Sequence, residues 1–278
     1  MRATHWIACV PALMLVLAAC GDEREVDGAP QAPMRAEPIG AARQAMSDAA
    51  VLEQIQAPLQ PLGTHLAGLH VLKDDVGRQY EVHHYCAQVN DRLMQCAIFD
   101  SHSTRAHLIG VEYIIPGEIY DSLPQDEQRY WHPHNYEVLS GMLVAPELAP
   151  AAEKATMRTV LNTYGKTWHL WSAGNGTAAP QDLPVGPPQL AWSFNRDGEA
   201  EAGLLRSFSD HVAIDLVARG RERSELTRLA EPQAGVDALK ERFDGPTQSI
   251  PGVVDRQAAA AATADETPPA EKQKEDAP

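Results

Sequence analysis

Between residues 78 and 116 the chain carries three short runs rich in β-branched, aromatic and other apolar residues. "RQYEVHHYCAQVN" (78–90) and "LMQCAIFD" (93–100) are separated by Asn90-Asp91, which predicts a β-hairpin. "AHLIGVEYIIP" (106–116) predicts a third strand, with one carboxylate, Glu112, inside an otherwise apolar run. "LSGMLVAP" (139–146), "KTWHLW" (166–171) and "QLAWSF" (189–194) read as further strands, the last two joined by a Gly/Pro-rich loop. Helical signals lie between and around them. "AARQAMSDAAVLEQIQ" (41–56) is made of good helix formers and stops before Pro58. The segment 122–131 opens with Ser122 and carries Pro124 where a first helical turn accepts it. The segment 149–165 places Met157, Val160, Leu161 and Tyr164 on one stripe, with Gly165 as its expected stop. Residues 209–229 read as one or two terminal helices. Strands and helices do not alternate as βα units. The expected class is therefore α+β: a single domain, mostly antiparallel sheet with flanking helices.

The two ends follow other patterns. After Arg2, "WIACVPALMLVLAA" (6–19) is apolar and uncharged, too short for a membrane span, and reads as an export signal. It ends in Leu17-Ala18-Ala19-Cys20, which resembles a bacterial lipobox and makes Cys20 the expected lipidation site. Residues 1–19 would then be a lipoprotein signal peptide and 20–40, polar and proline-bearing, a flexible tether. The domain is expected over 41–250. Residues 251–278 are poor in large apolar side chains and are expected to be a disordered tail. This organisation implies an exported protein whose partner is a bacterial membrane, reached through lipid on Cys20. Gly21 favours the outer membrane facing the periplasm; Asp22 leaves the inner membrane as the alternative. A formal net charge of −15 argues against a nucleic-acid partner.

Candidate chemistry concentrates in two places. In "HHYC" strand alternation puts His84 and Cys86 on one face and His83 and Tyr85 on the other, so one of the adjacent histidines can point at a given site. A three-residue loop over 90–92 would set Cys86 across from Cys96, as a disulfide or as two small packing residues. In "WHPHNYEV" the order His132-x-His134-x-x-Glu137 puts both imidazoles on one side of an extended segment, with Glu137 in reach by a modest turn. Two nitrogens and a carboxylate are a common divalent-metal set. Glu112 needs a partner if it faces the core, and serves either as a further ligand or as the group that orients a histidine. His83 or His84 would supply another ligand. The competing reading is a hydrogen-bonded network of the same residues without metal. No G-x-S-x-G elbow, P-loop or Rossmann glycine pattern is present.

The stretches "HHYC" (83–86), "QCAIFDS" (95–101), "LIGVEYII" (108–115), "WHPHNYEVLSG" (131–141), "YGKTWHLW" (164–171) and "LPVGPP" (183–188) together resemble the DUF1264 family, called oil body-associated proteins in plants. Pro133 stands where the family pattern has serine, with the histidine spacing intact. The resemblance implies a domain whose activity is not established. Its plant members are associated with lipid droplets and carry no lipobox, and its intracellular members keep both cysteines. The sequence therefore leads to a binding or envelope-associated module with a His/Glu cluster. The alternative is a metal-dependent enzyme using His132, His134, Glu137 and Glu112, with catalytic roles unassigned.

Overall fold

The computed structural model describes residues 59–265. The expected signal segment, Cys20, the tether, the predicted helix over 41–56 and residues 266–278 lie outside the described residues. The strands are β1 (Thr64–Leu72), β2 (Asp75–Asn90), β3 (Leu93–Phe99), β4 (Leu108–Pro116), β5 (His132–Pro133), β6 (Thr163–His169) and β7 (Gln189–Trp192). Every pairing between them is antiparallel. The order is β4-β3-β2-β1-β7-β6-β5, and β4 also pairs with β6. That last pairing closes six strands into a ring, with β5 beside β6. Around the ring lie α1 (Gly117–Ser122), α2 (Gln125–Gln128), α3 (Asn135–Ser140), α4 (Pro150–Val160), α5 (Ala202–Val212), α6 (Leu216–Glu222) and α7 (Arg256–Asp265). The fold is α+β, an antiparallel sheet with flanking helices.

Register fixes which side chains share the inner face. Leu66 pairs with His84, His84 with Ile98, Cys96 with Glu112 and Glu112 with Thr167. Period-two alternation then puts His70, Val82, His84, Cys86, Ile98, Glu112, Thr167 and His169 on one face. All of these are buried. The other face of β1, with Ala67, Leu69 and Val71, packs into the main core. There it meets Tyr136 and Val138 of α3, Met157 and Val160 of α4, Phe208 of α5 and Leu216 of α6. Each such buried aliphatic or aromatic side chain contributes about 1.5–3 kcal/mol. Because β1 is apolar on both faces, it lacks the alternation that betrays a half-buried strand. Its sequence therefore carries no periodic strand signal.

Several expected boundaries change. The helix expected over 122–131 divides into α1, which starts at Gly117, and α2, with Leu123-Pro124 extended between them. The strand expected over 139–146 is instead the end of α3 and a loop. Gly141, at φ 86°, is the left-handed stop of that helix. A Cβ at Gly141 would lie 2.3 Å from the Leu216 carbonyl oxygen, so the same glycine lets α3 approach α6. The helix expected to run to Gly165 ends at Val160, and Gly165 lies inside β6. The last helical region begins earlier, at Ala202, and ends as a 3-10 turn over Ser224–Leu229. The expected disordered tail begins too early. Val253 and Asp255 are buried, Asp255 accepts from the Asp237 backbone N–H, and Arg256 pairs with Asp121. The ordered domain therefore continues past residue 250. No helix among the described residues is long and apolar enough to cross a membrane.

Candidate metal centre

Inside the ring, four strands and one loop deliver a concentrated group of imidazoles and two carboxyl groups. β1 brings His70, β2 His84, β4 Glu112 and β6 His169. The β5–α3 segment brings His132, His134 and Glu137. That segment is held from several sides. Ser193 donates to the Pro133 carbonyl oxygen at 2.7 Å. The Asn135 backbone N–H donates to Gln233 Oε1 at 3.0 Å, and Gln233 Nε2 donates to the Thr163 carbonyl oxygen at 2.8 Å. At the far end of α3, Arg223 donates to the Val138 and Leu143 carbonyl oxygens at 2.8 Å each and pairs with the buried Glu153.

His84 Nε2 lies 2.9 Å from Glu112 Oε2, and His132 Nε2 and His134 Nε2 each lie 3.4 Å from Glu112 Oε1. Glu137 Oε2 is 3.9 Å from His134 Nε2. All five residues are buried. The expected convergence of His132, His134 and Glu112 with one member of the His83/His84 pair is therefore present, and that member is His84. Glu137 reaches the group from the first turn of α3 rather than from an extended strand.

The tautomers can be read from the outer nitrogens. His84 Nδ1 lies 3.3 Å from the Leu66 carbonyl oxygen, which can only accept, so Nδ1 carries the proton. His134 Nδ1 lies 2.7 Å from Thr163 Oγ1, whose own proton is given to the Val160 carbonyl oxygen at 2.7 Å. His134 must then donate from Nδ1 as well. In the neutral imidazoles both Nε2 atoms are bare lone pairs, and each faces an oxygen of the same carboxylate. An imidazolium at His84 would need its N–H aimed at Glu112. Nε2 is close but out of line, and it has no hydrogen-bond partner. Glu112 Oε1, both ring nitrogens of His132 and Thr167 Oγ1 are also buried without partners.

Acceptors that face one another across 2.9–3.4 Å have the spacing of ligands sharing an ion at about 2.0–2.2 Å. The donor atoms fall into two triads, His70–His84–Glu112 and Glu112–His132–His134, within each of which every atom lies within 4.8 Å of the others. Burial lowers the His132 pKa to about 3, an effect that any proton on His134 would add to, and it lowers His70 well below its ordinary value. Both rings are thereby kept neutral, the form a metal needs. Burial alone would raise the Glu112 carboxyl; positive charge and N–H donation from the surrounding rings when they are protonated, His84 first and then His134 and His132, outweigh it and hold Glu112 well below the usual carboxylate range. Burial, reinforced by Glu112, pushes Glu137 well above that range.

Gly165 keeps the space open. A Cβ there would sit 2.1 Å from Glu112 Oε1, 2.7 Å from His134 Nε2 and 2.8 Å from His132 Cε1. The cavity at the centre has about 10 Å³ of free space and is lined by His70, His84, Glu112, His134 and Glu137 with apolar neighbours. That is room for about one water; a metal ion needs less, because it sits in contact with its ligand atoms at about 2.0–2.2 Å.

Sequence reasoning missed His70 and gave His169 no role. His70 rides on the unrecognised β1. His169 lies behind His70, with Nε2 3.1 Å from His70 Nδ1, and orients that ring. His83 does not reach the centre. It points to the opposite face of β2, where Nε2 meets Glu81 at 3.1 Å and Nδ1 meets His65 at 2.9 Å. Glu81 in turn binds His211 at 2.7 Å. Cys86 and Cys96 occupy a directly paired position and are joined as a disulfide. The hairpin reaches that pairing by a tight turn after Asn90 with a register shift between Gln88 and Asn90, rather than by a three-residue loop.

The sequence profile of a family described as "Protein of unknown function (DUF1264)" matches residues 56–227. The chain belongs to the DUF1264 family. The matched region of this DUF1264 protein contains the whole ring of strands and every residue of the candidate centre. Among its relatives is oil body-associated protein 1A of Zea mays, 36% identical over 183 residues, covering 66% of this chain and 74% of the relative. Oil body-associated protein 1B of Arabidopsis thaliana is 32% identical over 191 residues, covering 69% of this chain and 76% of the relative. Oil body-associated protein 2B of Zea mays is 34% identical over 198 residues, covering 70% and 77%. No solved structure matches the DUF1264 chain significantly.

Proposed function

We propose that this DUF1264 domain is a metal-binding module, carried on a lipoprotein that Cys20 anchors to a bacterial membrane. One observation carries the metal reading. Two imidazoles, His84 and His134, have their Nδ1 protons committed elsewhere and turn bare Nε2 atoms toward the two oxygens of one buried carboxylate. A cation removes that conflict; a hydrogen-bonded network leaves it in place. Imidazole-rich donors with a single ionised carboxylate suit zinc, iron, nickel or copper better than magnesium or calcium.

The free space at the centre, about 10 Å³, is far smaller than a pocket for an organic substrate, which supports a binding role over turnover. The anchoring half rests on the apolar run 6–19 that ends in Leu-Ala-Ala-Cys20. The relatives are named for association with oil bodies; attachment through Cys20 would be this chain's own route to a lipid surface.

Elemental analysis of protein purified without chelator tests the metal reading. A stoichiometric transition metal that Glu112→Gln and His84→Ala lose is the expected result, and a metal-free protein that takes up none of these ions refutes it. For the anchor, Cys20→Ser is expected to abolish labelling by a fatty-acid precursor. Labelled Cys20→Ser protein still in the membrane fraction after a salt wash would refute it.

A further inference from the structure

The centre's donors do not converge on a single point. They form two triads that share Glu112. Each triad uses a different oxygen of that carboxylate. Oε2 faces His84, whose ring packs edge-on against His70 with centroids 5.0 Å apart. Oε1 faces His132 and His134 at 3.4 Å each, and those two rings also meet edge-on at 5.0 Å. We infer that the barrel holds two metal ions side by side, bridged by the two oxygens of Glu112, with His70 and His84 on one ion and His132 and His134 on the other. This inference rests on the metal-binding reading above and specifies its stoichiometry and ligand division.

The surrounding residues supply what a paired site requires. On the first side His169 holds His70 through Nδ1 at 3.1 Å, which leaves His70 Nε2 for an ion, and the Leu66 carbonyl holds His84 in the same way. On the second side Thr163 holds His134, and Glu137 stands 3.9 Å from His134 Nε2 as a further oxygen donor. Thr167 Oγ1 is buried and unpartnered, directly opposite Glu112 in register, where a ligand bound between the ions would find a hydroxyl. Two bridged ions in such sites stand about 3.5–4 Å apart. Two divalent ions bring four positive charges; Glu112 offsets one, and Glu137 offsets a second once the ions displace its proton. The remainder falls to hydroxide or another small anion drawn in with the ions, so the two positions fill stepwise and the second more weakly.

The experiment is equilibrium dialysis of the metal-stripped protein against chelator-buffered Zn²⁺, with bound zinc counted by elemental mass spectrometry. A parallel loading with Mn²⁺ is read by electron paramagnetic resonance. Two zinc ions per chain in two steps, and an exchange-coupled manganese spectrum at full loading, are expected. The double variants His70→Ala/His84→Ala and His132→Ala/His134→Ala should each fall from two ions to one and give an uncoupled spectrum; circular dichroism checks their fold. One ion per chain at saturation in the unmodified protein, with only uncoupled manganese, overturns the paired site while leaving the metal-binding reading intact. No bound ion overturns both. The count in the unmodified protein decides the matter even where a double variant fails to fold.

Discussion

Gly165→Ala tests the centre with the smallest possible change. The added Cβ would lie 2.1 Å from Glu112 Oε1, and atoms there essentially never come closer than 3.0 Å, so the carboxylate must retreat by about 1 Å or more. The same methyl presses on His134 and His132 at 2.7 and 2.8 Å, so the three donors of one triad move together. Loss of even an outer partner of a metal ligand costs about 10–100-fold in affinity. Displacing three direct donors should cost at least about 100-fold, or about 2.7 kcal/mol. The metal-free variant should suffer less. Overpacking costs about 1–3 kcal/mol, and replacing glycine by alanine returns about 0.4–1 kcal/mol by restricting the unfolded chain. The assay is chelator competition together with thermal melts at increasing zinc. At a zinc concentration of about 100 Kd the unmodified protein gains about 2.7 kcal/mol of stability. The variant should gain almost nothing at that concentration. Gly203→Ala, where a Cβ meets only open space, is the control and should match the unmodified protein. A Gly165→Ala protein whose affinity and zinc-induced shift stay within a few-fold of the original would refute the assignment of this space to an ion.

Glu153→Gln should destabilise the domain by about 3–5 kcal/mol in chemical denaturation, because Arg223 is fully buried and loses the charge that compensates it. At Glu81 burial raises the carboxyl pKa, but hydrogen bonds from His211 and His83 win and lower it below 4.5, so the unfolded state binds more protons in that range. The stability that unmodified protein holds over Glu81→Gln should therefore be complete above about pH 4.5 and vanish as pH falls through the folded-state value, as read by urea midpoints across acid pH. Reducing the Cys86–Cys96 bond, or replacing both residues by alanine, should lower stability by about 2–3 kcal/mol from loop closure, measured by melts with and without reductant.

The strands that carry the centre were readable where composition and turn chemistry agreed. β2, β3, β4, β6 and β7 all fall within a few residues of their expected places. Glu112 was legible for a simple reason: a carboxylate inside "LIGVEYII" has to be answered by something. His70 was not, because "LAGLHVL" is apolar on both faces and gives neither a helical nor an alternating period. The loop after His132 misled for the opposite reason. "LSGMLVAP" has strand composition, but Pro133 confines the extended stretch to two residues and Gly141 adopts the left-handed conformation that stops a helix. Gly165 looked like a helix stop in one dimension. Only the register that sets it opposite His132 and Ile114 reveals that its missing side chain is the space between three ligands.

The adjacent histidines His83 and His84 show how much depends on that register. A slip of one residue would turn His84 outward and bring His83 and Tyr85 into the ring, exchanging one polar system for the other. Two devices oppose the slip. Cys86 lies two residues beyond His84 on the same face, and Cys96 stands opposite Glu112, so the disulfide ties β2, which carries His84, to β3, the strand that lies between His84 and Glu112 of β4. An ion held between His84 and Glu112 opposes the same slip from one step further along the sheet. Bond and ion thus stabilise one register and disfavour its neighbours, so their contributions cannot be independent. Each should be worth more when the other is missing, since either alone already excludes the slipped pairings. In an oxidising setting the chain can rely on the bond; under reduction it would have to draw the same precision from the ion and from packing against Ile114.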